Sequence, residues 1–359
     1  MSEADKIVRS AGEWRELAVQ VLRNAGASAQ NAATVADALI AAELDGIASH
    51  GLSRLPAYAD QLGSKKIDGM AEPRVQRMAP AVIEVDARYG FAFPAIVEGL
   101  GAAVPVAREM GIAAVSIRNS HHCGVLGHHV ESMARQGLLA LAFANTPAAI
   151  APWGGAKAVF GTNPIAFACP RLDSEPLVID LSMSVTARGK VMLAANQNQA
   201  IPEGWALDAA GQPTTDAQKA LAGTMIPIGG AKGAALALMV ELLAAALTQS
   251  RFGFEASSFF DDAGQAPGVG QLFLLFDLQT FGGQRIQERI EALCTTIETD
   301  SGARLPGTRR IGSREKTAVS GITVPRKLFE DLQKRASMSH SAEAAAAPAS
   351  LERPPLLQK

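Results

Sequence analysis

Five of the six histidines lie in two short stretches, Ser49-His50-Gly51 and Asn119-Ser120-His121-His122-Cys123-Gly124 with His128 and His129 just beyond. Imidazole is the side chain whose ordinary pKa falls nearest neutrality, so two such clusters flanked by glycine suit a proton-transfer centre that a substrate can reach. The same residues raise a metal site, because cysteine and histidine are good zinc ligands. No Cys-x-x-Cys, His-Glu-x-x-His or acidic cluster accompanies them, so no metal is expected. Some of these imidazoles have the plainer task of satisfying backbone groups at a strand end and a helix start.

Two further stretches place polar groups after apolar runs. Gly161-Thr162-Asn163-Pro164 combines a hydroxyl, an amide and a fixed turn, and Asp180-Leu181-Ser182-Met183-Ser184 leads into Arg188-Gly189-Lys190. Strand ends in α/β sheets are where ligands tend to sit, although each stretch alone is equally a turn with a satisfied side chain. The usual dinucleotide and nucleotide signatures are missing: no Gly-x-Gly-x-x-Gly joins a strand to a helix, and Gly229-Gly230-Ala231-Lys232-Gly233 lacks the spacing of a P-loop. That glycine stretch precedes a strong helical pattern, where its amides and Lys232 could hold an anion or its glycines could simply permit tight packing.

The elements that must position these groups follow from periodicity. Trp14, Leu17, Val21 and Leu22 recur at helical spacing from Glu13 to Asn24, with Gly26 as a stop, and a second helix after Ser28 carries Val35, Ala38, Leu39 and Ala42 on one face. Asp45-Gly46 ends it just before Ser49-His50-Gly51, which puts that motif on a loop held by a helix. Beyond about residue 80 short apolar runs read as strands: Val82 to Val85, Ile112 to Ile117, Leu138 to Phe143, Ile165 to Ala168, Leu177 to Ile179 and Leu272 to Phe276. Helices are predicted over Ala95 to Met110 with a kink at Pro105, Val130 to Gln136, Gly233 to Thr248 and Gln284 to Asp300. The result is an α/β body with a helical N-terminal layer, a polar excursion or lid over Pro202 to Met225, and a disordered Ala- and Pro-rich tail.

Composition narrows the partner class. The chain has 359 residues, 48% of them apolar, with a formal charge of −2. Basic and acidic residues nearly balance, there is no run of five Lys or Arg, and the few aromatics are not interleaved with basic residues, so nucleic acid is not expected. No apolar run spans a bilayer and no secretory signal opens the sequence. Three widely spaced cysteines argue against a disulfide framework and for a reducing, cytoplasmic setting. Small molecules remain as the natural ligands.

The order of the pieces is more specific than any one of them. Asp45 to Arg54, Asn119-Ser120-His121-His122, Gly161-Thr162-Asn163-Pro164, Asp180 to Lys190, Gly229 to Gly233 and Arg304-Leu305-Pro306-Gly307-Thr308-Arg309-Arg310 together resemble the malate/L-lactate dehydrogenase family of NAD(P)-dependent oxidoreductases, over roughly residues 10 to 330. The resemblance implies hydride transfer to the carbon of a C=O or C=N next to a carboxylate, a homodimer, and an α/β fold whose dinucleotide-binding domain is not of the Rossmann kind. It implies a helical N-terminal domain over 1–78 that packs with C-terminal helices at about 282–336. A cofactor-binding α/β domain over 79–281 and a tail over 337–359 complete that division.

By the same resemblance His50 is the general acid/base, oriented by Ser49, and Arg54 holds the substrate carboxylate. A planar guanidinium suits that task because it can make two parallel hydrogen bonds to a carboxylate. His122 is a rival for the proton transfer, and that choice stays open. Thr162 is a substrate-side hydroxyl. Thr146, Asp180, Leu181, Ser182, Lys232, Gly307, Thr308 and Arg309 are expected to contact the dinucleotide. NADP or NAD serves, with Arg309, Arg310 and Arg314 favouring the 2′-phosphate of NADP.

Lys190 bears on the substrate. Cyclic-imine reductases of the family carry an acidic residue there, which would stabilise a protonated imine, whereas an ammonium repels one and favours an anion or a developing alkoxide. With Arg54 and Arg188, Lys190 therefore points to a small anionic 2-oxo or 2-hydroxy acid such as malate, lactate or 3-sulfolactate. Ala148 to Gly155 and Pro202 to Asp208 look most like the sulfolactate dehydrogenase branch. Two other readings stand beside it: reduction of Δ1-piperideine-2-carboxylate or Δ1-pyrroline-2-carboxylate, and a catalytically silent dimer that only binds a nucleotide or metabolite.

Overall fold

The computed structural model describes residues 5–338. Apart from Ser337 and Met338, the tail expected to be disordered lies outside them. The chain begins with a short strand β1 (Lys6–Arg9), then α1 (Ala11–Asn24) and α2 (Ala29–Leu44). Ser10 and Glu13 form a reciprocal capping box at the start of α1, and Ser28 caps α2 by accepting from Asn31 N, so each helix starts where its first backbone donors find a side chain. Two 3-10 turns, Ala48–His50 and Leu52–Arg54, connect α2 to α3 (Leu55–Gly63).

The centre of the molecule is a seven-stranded sheet. Its strands and connecting helices run β2 (Arg74–Ala79), β3 (Val82–Asp86), α4 (Ala92–Met110), β4 (Ile112–Ser120), α5 (Leu126–Ala134), β5 (Leu138–Ala144), β6 (Ile165–Cys169) and β7 (Leu177–Leu181). There follow α6 (Arg188–Asn196), β8 (Ala206–Leu207), β9 (Pro213–Thr214), α7 (Ala217–Ala222), β10 (Thr224–Met225), α8 (Ala231–Glu241) and β11 (Val269–Asp277). The spatial order is β2-β3-β4-β11-β5-β6-β7. Only β3 and β4 run parallel, joined by the α4 crossover; every other neighbouring pair in this sheet is antiparallel. Alanines and valines of these strands, among them Val85, Val115, Ala140, Ala142 and Ala168, are fully buried against α4 and α5. Such small side chains let α4 and α5 approach that face closely.

The chain closes with α9 (Leu278–Phe281), α10 (Gln284–Glu298), α11 (Thr308–Ser320), β12 (Ile322–Pro325) and α12 (Arg326–Ser337). β12 pairs antiparallel with β1, and α12 packs on α1, so the two ends of the described chain share one core. At its middle the Trp14 indole, with no exposed surface, donates to Ile322 O at 3.0 Å and meets the Phe329 ring edge-on at 5.6 Å.

Several expectations shift. The excursion over residues 202–225 is not an open lid but a small three-stranded sheet, β10-β8-β9, with its own helix. β2 extends the large sheet back to Arg74, before the expected boundary at 79. α10 is tied to the end of β6, where Arg171 pairs with Glu291 and Glu298, and does not join the core shared by α1, α3 and α12. Helix α4 runs through Pro105 to Gly111, and α8 continues into a π-helical stretch, Leu242–Ala246.

The buried indole generates a test. Trp14→Ala removes the packing and the hydrogen bond that join the chain ends, and is expected to destabilise the protein by about 3–5 kcal/mol. Chemical denaturation followed by circular dichroism would measure it.

Candidate active site

Helix α2 ends at Asp45, and Gly46 follows at φ +74°, which turns the chain into the first 3-10 turn. Glu43 then reaches forward to accept from Leu52 N at 2.7 Å. A Cβ on Gly51 would lie 2.2 Å from that carboxylate, so the glycine of Ser49-His50-Gly51 lets the turn fold back over α2. This places Ser49, His50 and Arg54 on one wall of a cavity of about 1060 Å³.

On that wall Ser49 Oγ and His50 Nδ1 are hydrogen-bonded at 3.0 Å. Arg54 Nε donates to Ser49 O at 2.9 Å and the guanidinium lies 4.5 Å over the Phe260 ring, while its buried Nη1 has no partner. The opposite wall brings His122 against His50, the two rings stacked at 5.3 Å. Tyr58 Oη lies 2.7 Å from His122 Nδ1. Burial drives the Tyr58 phenol above its ordinary range, so it stays protonated and donates, leaving the neutral His122 proton on Nε2.

The field in the cavity is positive. Burial, then Arg54 and His128, lower His50 to about 4. Burial, then Lys66 and Arg54, lower His121 to about 3. Burial and the charge on Arg54 also hold His122 well below the usual imidazole range. All three rings are therefore neutral at pH 7.

The third wall comes from the sheet. Thr146 and Thr162 line the cavity side by side, with Thr162 N donating to Thr146 Oγ1 at 2.9 Å. Behind them the buried Glu241 of α8 accepts from Asn145, Asn163 and Gly253 N, and so holds three loops at one point. Asp180, Leu181 and Ser182 line the cavity at the end of β7, and Asp180 Oδ2 accepts from Gly127 N in the first turn of α5. Burial raises the Asp180 carboxyl despite that bond and the nearby Arg310.

The structure thus brings together Ser49, His50, Arg54, His122, Thr146, Thr162, Asp180, Leu181 and Ser182. It does not bring Lys190, Lys232, Gly307, Thr308 or Arg309 to the cavity lining. Lys190 is exposed on the first turn of α6, and Arg188, two residues earlier, lines the cavity instead. Lys232 is exposed at the start of α8, where the glycines serve packing: a Cβ on Gly233 would lie 1.7 Å from Ile228 O. Gly307, Thr308 and Arg309 form the turn into α11, with Thr308 Oγ1 bonded to Leu305 O and Arg309 exposed. Sequence reasoning missed Lys157, Gln271, Phe259 and Phe260 of the lining and Glu241 behind it; they come from loops, a strand and the end of α8, with no local motif.

Arg310 and Arg314 are also placed elsewhere than expected. Arg314 Nε donates to Asp45 at 2.7 Å and its Nη1 to Glu131 at 2.8 Å, while Arg310 Nη2 donates to Glu131 at 2.7 Å. His128 Nε2 lies 2.7 Å from the same Asp45. Burial pushes both carboxyls up, but the hydrogen bonds from His128 and Arg314 hold Asp45 below its ordinary value and those from Arg314 and Arg135 bring Glu131 to about 2. Two arginines committed in this way are not free for a 2′-phosphate. His129 Nε2 is bonded to Cys123 O at 2.8 Å. Among the described residues no three His, Cys, Asp or Glu side chains converge as a metal site would need.

The pattern that describes malate/L-lactate dehydrogenases matches residues 10–333. The chain is 54% identical over 321 residues to a (2R)-3-sulfolactate dehydrogenase (NADP(+)) of Chromohalobacter salexigens, covering 89% of this chain and 96% of that protein. It is 39% identical over 336 residues to a Δ1-pyrroline-2-carboxylate reductase of Burkholderia ambifaria, covering 92% and 98%. The crystal structure of Δ1-piperideine-2-carboxylate reductase from Pseudomonas syringae superposes with a TM-score of 0.87 at 37% identity, over 92% of this chain and 99% of that one.

A neutral His50 can accept a proton from a hydroxyl but must first be charged to give one. If it is the base, kcat/KM for oxidation of a hydroxyl substrate is expected to stay level from neutrality down to about pH 5. Below about 4, where the free ring protonates, it should fall about tenfold per unit. Initial rates across that range, with circular dichroism as a folding control, check this; a fall beginning near 6.5 would indicate an ordinary exposed imidazole.

Proposed function

Because the chain belongs to the malate/L-lactate dehydrogenase family, we propose that its cavity is the site where a small 2-oxo acid and its 2-hydroxy acid are interconverted. The chain is an oxidoreductase that moves a hydride between a nicotinamide dinucleotide and a small acid. The observation that carries the substrate class is the charge of the lining: Arg54, Lys157 and Arg188 face a single carboxylate, Asp180. That balance favours an anion and disfavours a protonated imine. The charge argument thus passes from Lys190 to residues that reach the cavity. A substrate with a second anionic group, such as 3-sulfolactate, suits three cations better than lactate does, and the similarity to a sulfolactate dehydrogenase supports the same reading.

In the proposed mechanism Arg54 Nη1, buried and unpartnered, takes the substrate carboxylate and turns the 2-carbon towards His50. His50, held through Nδ1 by Ser49, takes the hydroxyl proton in oxidation and returns it in reduction. His122, with its proton on Nε2, donates to the substrate oxygen as charge develops there. Thr162 contacts the substrate from the sheet side. Binding an anion beside Arg54 offsets the field that depresses His50, and so raises its affinity for the proton that reduction requires.

The cavity also fits a dinucleotide. At about 1060 Å³ it lies at the top of the roughly 300–1,000 Å³ that encloses a drug-sized ligand, more than a small acid fills. Thr146, Asp180, Leu181 and Ser182 would hold the cofactor, with Leu126 at the start of α5. When bound, it supplies or accepts the hydride. We assign NADP, the cofactor named for the sulfolactate dehydrogenase to which the chain is similar.

We further propose a homodimer. Ala235, Leu238, Met239, Leu242 and Ala246 stand at i, i+3, i+4, i+7 and i+11 along α8 and its π-helical extension, and all are exposed. Such a stripe on a helix whose other side is already buried matches the core of a permanent interface, and a two-fold pair presents the same stripe to itself. The helical layer carrying the chain ends and the sheet body carrying the third wall then form the two halves of each site. Three unpaired, buried cysteines support a reducing, cytoplasmic setting, and no described helix is long and apolar enough to cross a membrane.

Three experiments test these readings. A panel of 2-oxo acids and cyclic imines, each with NADPH and NADH, is expected to give turnover on 2-oxo acids; activity confined to imines would overturn the substrate class. His50→Ala should keep cofactor binding and lose at least a hundredfold in kcat. That pattern also separates catalysis from mere ligand binding. In sedimentation, the wild type is expected at twice the mass of one chain, and the double variant Leu238→Glu with Leu242→Glu as a folded monomer.

A further inference from the structure

One imidazole of the cavity has no task in this mechanism. His121 is 1% exposed, it lines the cavity, and neither of its ring nitrogens has a hydrogen-bond partner. Buried polar atoms are nearly always paired, so a side chain with two orphaned nitrogens facing a cavity marks a place where something else supplies the partner. The ring is not free to turn away. Gln271 Nε2 donates to the His121 carbonyl at 3.2 Å, and the imidazole is packed between Phe259 at 5.2 Å and Tyr58 at 6.1 Å.

The surroundings say which partner. Arg54 and the buried Lys66 both act on this ring as positive charges. Lys66 Nζ donates to the carbonyls of Ser258, Asp261 and Ala263 at 2.8, 3.0 and 2.7 Å, and so staples down the loop whose Phe259 covers His121 and whose Phe260 lies under Arg54. Arg54 Nη1 is a second orphaned donor of the same lining. His50 stacks on His122, whereas His121 makes no ring contact with His50 and shares Tyr58 and Phe259 with His122.

We propose that His121 donates its ring N–H to a second anionic group of the substrate, apart from the 2-oxo carboxylate taken by Arg54, and so selects dianionic over monoanionic acids. A sulfonate and a second carboxylate share the chemistry required, an oxygen that accepts from a neutral imidazole in a positive field. The proposal rests on the reading of the cavity as a 2-oxo acid site.

The test compares the 2-oxo acids of 3-sulfolactate and malate with pyruvate in wild type, His121→Leu and His121→Asn. In His121→Leu, KM for the dianions is expected to rise about ten- to a hundredfold while kcat, and KM for pyruvate, change less than threefold. His121→Asn, which restores one N–H, should recover part of the loss. The ligand-free leucine variant should melt no lower than wild type, since it removes no bond, and a variant that fails to fold leaves the asparagine variant to decide. An unchanged dianion-to-pyruvate ratio in an active variant overturns the role of His121. Wild-type inactivity on every 2-oxo acid would instead overturn the reading on which it rests.

Discussion

Two buried carboxylates, Asp45 and Glu131, constrain the rest of the molecule. A charge removed from water is tolerated only when it is paired and fully hydrogen-bonded, and removing one partner of such a group costs about 3–5 kcal/mol. Here the partners come from far away in the chain: His128 from α5, and Arg310 and Arg314 from α11. The end of α2, the start of α5 and α11 are therefore tied at one point. That point lies directly behind the turn carrying His50 and beside the turn in which Asp180 meets Gly127. The His50 turn and the sheet wall cannot shift independently while the cluster is intact.

The same cluster explains part of what the sequence conceals. Arg309, Arg310 and Arg314 form a basic run that invites a phosphate, yet two of the three neutralise carboxylates more than 170 positions away, a pairing no local pattern announces. The elements were more legible. β3 to β7 and β11 are buried apolar runs and stand out, whereas β2, exposed along its length, carries no apolar signature. β1 and β12 are four residues each and make sense only as a pair. His50, Arg54, His122 and Thr162 were singled out by the order of their motifs along the chain, and all four line the cavity. Lys190 and Lys232 were misplaced because their residue types suited an anion while their helical positions turn them outward. His121 was undervalued for the opposite reason, since its significance lies in what it does not touch.

Electrostatics links these observations. Burial first, and the charge of Arg54 beside it, keep three neighbouring imidazoles neutral. The cavity thus carries its positive charge on arginine and lysine and not on its histidine rings, a field that favours anions. In the proposed mechanism an anion at Arg54 relaxes that constraint where a proton is next needed, so recognition and acid/base poise would meet at one guanidinium.

The pairing of β1 with β12 has a consequence for how the protein comes into being. Trp14 finds its acceptor 308 positions later, and the helices that carry the acid/base turn have no complete core until α12 has been made. During synthesis the sheet can assemble from neighbouring segments, but the N-terminal helices must wait with their apolar faces uncovered until β12 and α12 have been made. A nascent chain interrupted before those elements would carry a finished sheet and an unsupported histidine turn.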